Sequence, residues 1–309
     1  MVKHLPPLSE RVLLRRVLDR VSLPSRRGLV LGIGDDCAIF RPRGSADDLL
    51  FTTDMLIENT HFRRETHTAA QAGWKTLARG LSDIAAMGGE PRFCLLSLAV
   101  PEWADARWLD GFYRGLLALA GQAGTPLVGG DLARGSSLMA DIVVCGAVPR
   151  GQALRRDGAR PGDAIYVSGT LGGSALGLAT GRGQAWARHA RPAPRLALGR
   201  FLRERVGATA AMDLSDGLSL DLHRLCLACG LSAEIAEPPR YPRATLEQAL
   251  HGGEDYELLF TAPAKARVPR RFQGLPLTRI GTMHQGRKGA VELNRAPLAP
   301  LGYDHFRQS

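Results

Sequence analysis

No apolar stretch in this 309-residue chain approaches the ~20 residues that a membrane span needs. The longest, such as Phe93 to Val100 and Leu116 to Ala120, are far shorter. The opening residues, Met-Val-Lys-His-Leu-Pro-Pro-Leu-Ser-Glu, hold no apolar h-region. No secretory signal and no membrane association are therefore expected, and the cytoplasm is the expected compartment. Lysine is scarce: Lys3, Lys75, Lys265 and Lys288 are the whole set, and none follows a glycine. That excludes the G-x-x-x-x-G-K-[ST] phosphate loop. The protein-kinase catalytic-loop and D-F-G signatures are missing too, and no strict G-x-G-x-x-G occurs. Cysteine is sparse and odd in number, at five (Cys37, Cys94, Cys145, Cys226, Cys229), which argues against a disulfide framework. Cys226 and Cys229 form a single C-x-x-C without a second pair, so the expectation is helix packing and not zinc.

Basic charge is plentiful. The formal net charge is +10, carried almost wholly by arginine. Such a balance attracts anionic substrates. The arginines are scattered, and the densest group (Arg11, Arg15, Arg16, Arg20, Arg26, Arg27) is interrupted by Leu and Val at helical spacing. That pattern reads as the solvated face of an amphipathic helix over 8–21. No nucleic-acid-binding motif accompanies it, and no nucleic-acid partner is expected.

Aspartates at the ends of apolar runs are the most informative feature present. They occur in Gly32-Ile-Gly-Asp35-Asp36, Leu49-Leu-Phe-Thr52-Thr53-Asp54, Leu127-Val-Gly-Gly130-Asp131 and Ala210-Ala-Met-Asp213-Leu-Ser215-Asp216. A single strand-end Asp is ordinary turn or N-cap chemistry. Four of them suggest a hard-cation site at a sheet edge, where open α/β folds keep their ligand crevices. Asp83 differs, because it lies inside an expected helix between apolar neighbours. A buried carboxylate there needs a cation or a dense set of hydrogen bonds.

Strand-like runs are expected at 28–33, 36–40, 49–54, 93–100, 125–129 and 138–148, with helices at 68–87 and 103–123. The Gly-, Pro- and Arg-rich segment Pro149 to Gly162 reads as a boundary, dividing the chain into domains at 1–149 and 150–309. The second half restarts with a strand at 163–169 and a Gly-rich turn into a helix at 169–180. Further helices at 195–206 and 217–229 follow, the latter after the Asp213 strand, with another strand at 256–261. Strands and helices mixed in both halves predict an α/β (α+β) protein of two domains.

The motifs Gly32-Ile-Gly-Asp-Asp-Cys-Ala38, Thr52-Thr-Asp-Met-Leu56 with His61-Phe62, Leu81-Ser-Asp-Ile-Ala-Ala-Met-Gly-Gly89, Gly129-Gly-Asp131, Asp213-Leu-Ser-Asp-Gly217 and Gly252-Gly-Glu-Asp-Tyr-Glu-Leu258 occur in order. Together they closely resemble the thiamine-monophosphate kinase family, of the aminoimidazole ribonucleotide synthetase superfamily. The resemblance implies the two-domain fold of that superfamily. It implies ATP-dependent conversion of thiamine monophosphate to thiamine diphosphate, several Mg²⁺ ions with K⁺ as a further candidate, and a homodimer paired through its N-terminal sheets. By motif it implies Asp36, Thr52, Thr53, Asp54, Asp83, Asp131, Asp213 and Asp216 as metal ligands, with Asp54, Asp213 and Asp216 central to catalysis. It implies ATP contacts from Gly130, Asp131, Arg156 and Ser215, with Tyr113 reaching the neighbouring subunit's ATP. His61, Glu254 and the tail aromatic Tyr303 would contact thiamine monophosphate; family tails often carry a Trp, which this chain lacks after Trp186. The alternative is another ATP-dependent enzyme of the superfamily that activates an amide or other acceptor. Sister families resemble it less: selenophosphate synthetases carry a reactive Cys or selenocysteine beside a Lys near the N-terminus, which is missing here, and hydrogenase-maturation relatives end in Cys, whereas this sequence ends Phe-Arg-Gln-Ser.

The chemistry fits the residues. A phosphate monoester is already a dianion near neutral pH, its second pKa being about 6, so no general base is needed. The obstacle is repulsion between polyanions, ~4 kcal/mol per pair of unit charges at 4 Å and an effective dielectric of 20. Asp213 and Asp216, with Ser215 between them, can enter one crevice at a strand-to-helix turn, where one of the three is expected to cap the helix. Asp35 and Asp36, if both in a strand, would point to opposite faces. That leaves Asp36 as the ligand by family match and Asp35 open.

Overall fold

The computed structural model describes residues 10–21 and 28–306. The helix expected over 8–21 is present as α1 (Glu10–Leu18). Arg26 and Arg27 fall outside the described residues. On α1, Val12, Leu14, Val17 and Leu18 remain exposed, so its apolar positions do not join a core.

The first half builds a mixed sheet from β1 (Leu29–Leu31), β2 (Ala38–Phe40), β3 (Asp47–Ile57), β4 (Glu90–Val100), β5 (Leu127–Arg134) and β6 (Met139–Pro149), in the order β1-β2-β3-β6-β4-β5. Period-2 alternation sets which face is buried. On β3, Leu50, Thr52 and Leu56 are buried while Thr53 and Met55 are exposed. Two helices, α2 (Ala69–Ala86) and α3 (Ala106–Ala123), cover the buried face.

Local chemistry explains α2. Thr68 and Gln71 form a capping box at its start. Gly88, at φ +66°, turns the chain after its last turn. Leu77, Leu81 and Ile84 lie on one stripe and are fully buried, each contributing ~2 kcal/mol of apolar burial. α2 and α3 approach closely because Gly73 and Gly115 face each other's helix. A Cβ at Gly115 would lie 1.9 Å from the Ala70 carbonyl oxygen.

The second sheet comprises β7 (Ala164–Ser168), β8 (Ala210–Asp213), β9 (Ser232–Ile235), β10 (Leu258–Ala262), β11 (Arg271–Phe272), β12 (Leu275–His284), β13 (Val291–Leu293) and β14 (Ala296–Pro297). Its order is β14-β13-β9-β12-β7-β10-β8, with β11 paired to β12. The helices of this half are α4 (Gly173–Thr180), α5 (Gly183–Ala190), α6 (Leu196–Phe201), α7 (Leu218–Cys229) and α8 (Leu246–His251). The single helix expected over 195–206 is α6 continued by a π-helical turn at Leu202–Val206.

Each half has its own hydrophobic cluster, and a third joins Ala86 of α2 to Leu198, Leu202 and Phe260 of the second half. α2 thus packs against both sheets' neighbourhoods, contacting α6 and β8. Among the described residues, no helix is long and apolar enough to cross a membrane.

Candidate active site

A cavity of about 650 Å³ opens between the halves, lined by β3, α2, the Asp35–Asp36 turn, the β8–α7 turn, the Gly252–Tyr256 loop and the C-terminal tail. Three carboxylates meet in its wall. One oxygen each from Asp36, Asp83 and Asp213 lies within 4.8 Å of the others. Burial, and then the charges of Asp54, Asp213 and Asp36, push Asp83 well above the usual carboxylate range. Burial and the charge of Asp36 do the same to Asp213. Their hydrogen bonds are few: Thr52 Oγ1 donates to Asp83 at 2.5 Å, and Ser82 Oγ donates to Asp213 at 2.7 Å. Buried like charges with so little compensation could hold a cation.

Asp35 and Asp36 depart from the strand expectation. β2 begins only at Ala38, so both lie in the preceding turn, where two-residue alternation does not apply. Both line the cavity and both meet Arg156. The Arg156 guanidinium is paired with Asp36 through two nitrogens, and its backbone N–H donates to Asp35 at 3.0 Å. Burial and the neighbouring Asp36 raise Asp35 to about 6.

The β8–α7 turn also differs from expectation. None of Asp213, Ser215 and Asp216 caps α7. Asp221, in the first helical turn, accepts from the backbone N–H groups of Asp216 and Gly217 at 3.1 and 3.0 Å. That leaves Asp213 for the carboxylate cluster, while Asp216 is ion-paired to Arg224. Ser215 lines the cavity beside them. The Gly169–Gly173 turn, which could hold a phosphate, is filled from within: Asp255 accepts from the N–H groups of Gly172 and Ser174 at the start of α4, at 2.5 and 3.0 Å.

Asp54 lines the cavity and is held by Arg79 through Nε and Nη2, at 3.1 and 2.8 Å. Glu254 accepts from Lys75 Nζ at 2.8 Å and lies 3.6 Å from Arg79. Burial raises the Glu254 carboxyl, but Lys75, His189 and Arg79 outweigh it and bring it down to about 2. At Lys75 the balance reverses: burial lowers the ammonium, Glu254 opposes this, and the like charge of Arg79 adds to the lowering. His61 and Tyr303 line the same cavity. His61 meets the tail through an edge contact with the His305 ring at 5.0 Å, and Tyr303 is anchored by its N–H to the Asp216 carbonyl at 2.9 Å.

Thr53 also lines the cavity, and the other expected residues lie elsewhere. The Thr53 hydroxyl donates to Asp141 at 2.6 Å. Strand register pairs Met55 with Asp141, Asp141 with Ser97, and Ser97 with Asp131. Asp131, Asp141 and Met55 therefore share the sheet's outer face, away from the helices. Gly130 sits at φ +154°, and a Cβ there would lie 1.7 Å from the Leu96 carbonyl oxygen, so strand approach alone requires glycine. Tyr113 packs half-buried on α3 against the first core. None of Gly130, Asp131 and Tyr113 lines the cavity.

Lys75, Arg79 and His189 are at the site without having been singled out as site residues in the sequence. A signal existed for two of them: Lys75, Arg79 and Asp83 recur every four residues in a helix that is otherwise largely apolar, which places them on one stripe.

Residues 34–148 match the family model of the AIR synthase related protein, N-terminal domain, and residues 160–294 match that of its C-terminal domain. The chain is 39% identical to the thiamine-monophosphate kinase of Escherichia coli K12, over 95% of this chain and 97% of that one. It is 33% identical to the enzyme of the same name from Bacillus subtilis, over 90% and 94%. Among solved structures, AaThiL complexed with AMPPCP and TMP superposes with a TM-score of 0.85 at 31% identity, covering 98% of this chain and 100% of that one. Thiamine-monophosphate kinase from Stenotrophomonas maltophilia K279a gives 0.75 at 38% identity, over 95% and 99%. The hydrogenase maturation protein HypE, at 20% identity and a TM-score of 0.67, shares the fold alone. By sequence over nearly its full length and by fold, the chain belongs to the thiamine-monophosphate kinase family, within the AIR synthase related proteins.

Proposed function

We propose that this protein transfers the γ-phosphoryl group of ATP to the phosphate of thiamine monophosphate, giving thiamine diphosphate and ADP. The observation that carries the site assignment is the Asp36–Asp83–Asp213 cluster in the wall of a large cavity. Kinship with thiamine-monophosphate kinases, and with a neighbour complexed with AMPPCP and TMP, supports the choice of substrates.

The cluster fits Mg²⁺: its donors are all carboxylate oxygens, and two of the three are pushed far up in proton affinity. Asp36, Asp83 and Asp213 would hold the ion, with Asp54 and Asp216 at hand in the same cavity, and it would supply neutralisation of phosphate charge. The chain's own residues supply positioning. Arg156 and Arg224 place guanidinium groups in the cavity wall, where phosphate oxygens can exchange for their present carboxylate partners. Glu254 offers an ionised carboxylate to the amino-bearing, cationic thiamine moiety, and Ser215 offers a hydroxyl beside Asp216. The acceptor phosphate needs no deprotonation, so no side chain is assigned as base.

The reading extends to a homodimer formed through the outer face of the first sheet. Phe40 and Met55 are exposed there. Gly130, Asp131 and Tyr113, remote from this chain's cavity, would then act at a site shared with the second copy.

Incubating the purified protein with ATP, Mg²⁺ and thiamine monophosphate tests the assignment. Thiamine diphosphate is expected, read by chromatography. A folded protein that makes none, or that releases ADP only with an amide-bearing acceptor, overturns it.

A further inference from the structure

We propose that Lys75 is a positioning residue for substrate recognition: its ammonium holds Glu254 beside His61 so that one N–H donor and one carboxylate acceptor face the cavity together, a pair that reads the ring-nitrogen and amino edge of an aminopyrimidine. The inference rests on the reading of the cavity as the thiamine monophosphate site.

Lys75 is fully buried on α2. An isolated buried ammonium is strongly unfavourable, so its surroundings must account for it. Nζ donates to the His61 carbonyl at 2.9 Å and to Glu254 Oε2 at 2.8 Å, and lies 3.4 Å from His189 Nε2. The three donors of the ammonium are thus directed at three separate segments of the chain.

What these contacts leave over is specific. The Ile57 N–H donates to His61 Nδ1 at 3.0 Å. Burial, with Arg79 next, lowers the ring to about 3, so it is neutral and its proton sits on Nε2. Among the described residues, His61 Nε2 is buried with no hydrogen-bond partner, and so is Glu254 Oε1. Both residues line the cavity. A donor and an ionised acceptor left unmatched in one wall complement an N=C–NH₂ edge, which accepts at the ring nitrogen and donates from the amino group.

Glu254 has a competing partner. Arg79 Nη1 is 3.6 Å from Oε1, outside hydrogen-bond range. Freed from Lys75, the carboxylate can turn into a two-oxygen pair with that guanidinium, which withdraws the acceptor from the cavity. Lys75 prevents this by occupying Oε2.

The test is steady-state kinetics on the full chain with Lys75→Met, Glu254→Gln and the double variant. Lys75→Met is expected to raise KM for thiamine monophosphate about tenfold or more, with KM for ATP and kcat changed less than about threefold. The double variant is expected to match Glu254→Gln alone within about twofold, since Lys75 acts through Glu254. Wild type is expected to prefer thiamine monophosphate over its 4-deamino analogue, and Lys75→Met to narrow that preference about tenfold. An unchanged KM in Lys75→Met, or a double variant whose loss is the product of the singles, overturns the proposal. If Lys75→Met does not fold, the double variant, which buries no unpaired charge, is compared with Glu254→Gln by calorimetric binding of thiamine monophosphate. Equal affinity supports the proposal, and about tenfold weaker binding overturns it. Glu254→Gln with unchanged KM removes the substrate-site reading as well. A raised KM there beside an unaffected Lys75→Met removes the positioning role alone.

Discussion

Asp83, in the body of α2, and Asp213, at the end of β8, bring carboxylate oxygens within 4.8 Å of each other across the two halves of the chain. Among the described residues, neither has a cationic side chain hydrogen-bonded to it; their neutral donors are Thr52 and Ser82. Asp213→Asn is therefore expected to lower turnover by more than roughly 100-fold, the upper range for a group that merely supports a metal ligand. Without Mg²⁺ the variant should melt no lower than wild type, because it removes a repulsive buried charge. Near-normal turnover in Asp213→Asn and Asp54→Asn would rule out the metal role.

Mg²⁺ should stabilise the folded protein in proportion to its occupancy, by ~2.7 kcal/mol at a concentration 100 times its dissociation constant. Differential scanning fluorimetry should show the melting point rising with Mg²⁺ and no rise in Asp213→Asn. A chelator should abolish turnover without unfolding the protein.

Glu254 gives a pH signature. Its folded carboxyl titrates near 2 against an ordinary 4.5. A lowered pKa contributes stability that is complete above pH 4.5 and is lost as pH falls through 2. About 2.5 units correspond to about 3 kcal/mol. Urea midpoints measured from pH 5 to pH 2 should fall more steeply in wild type than in Glu254→Gln, and identical slopes would refute the pairing with Lys75.

Gly130→Ala should destabilise the first sheet by more than about 2 kcal/mol, since its Cβ would meet the Leu96 carbonyl oxygen at 1.7 Å. Loss of melting temperature should accompany any loss of activity. A variant that is as stable as wild type yet inactive would shift the glycine's role from strand packing to ligand contact.

Met55→Glu places a charge on the outer sheet face at a residue that does not line the cavity. Sedimentation should show the shift from dimer to monomer. A wild-type protein that sediments as a monomer at micromolar concentration would remove the dimer from the reading.

By itself, the sequence determined the fold class and the elements of the first half, whereas α5, α8, β9 and β11 to β14 of the second half were not among the expected elements. Strand alternation, the Thr68–Gln71 capping box and the Gly88 stop are local and survive folding unchanged. It also marked Asp36, Asp83 and Asp213 by their motif neighbourhoods, and these three carboxylates do come together. What it could not determine were choices between partners distant in the chain. Lys75 and Arg79 read as two helix positions until tertiary packing brought Glu254, from the far half, against both. Thr53 and Thr52 are adjacent and chemically alike, yet the sheet sends one to Asp141 and the other to Asp83. Only the tertiary structure settled that, because a pleated strand gives successive side chains to opposite faces, and the layers packed on each face are set by the rest of the chain.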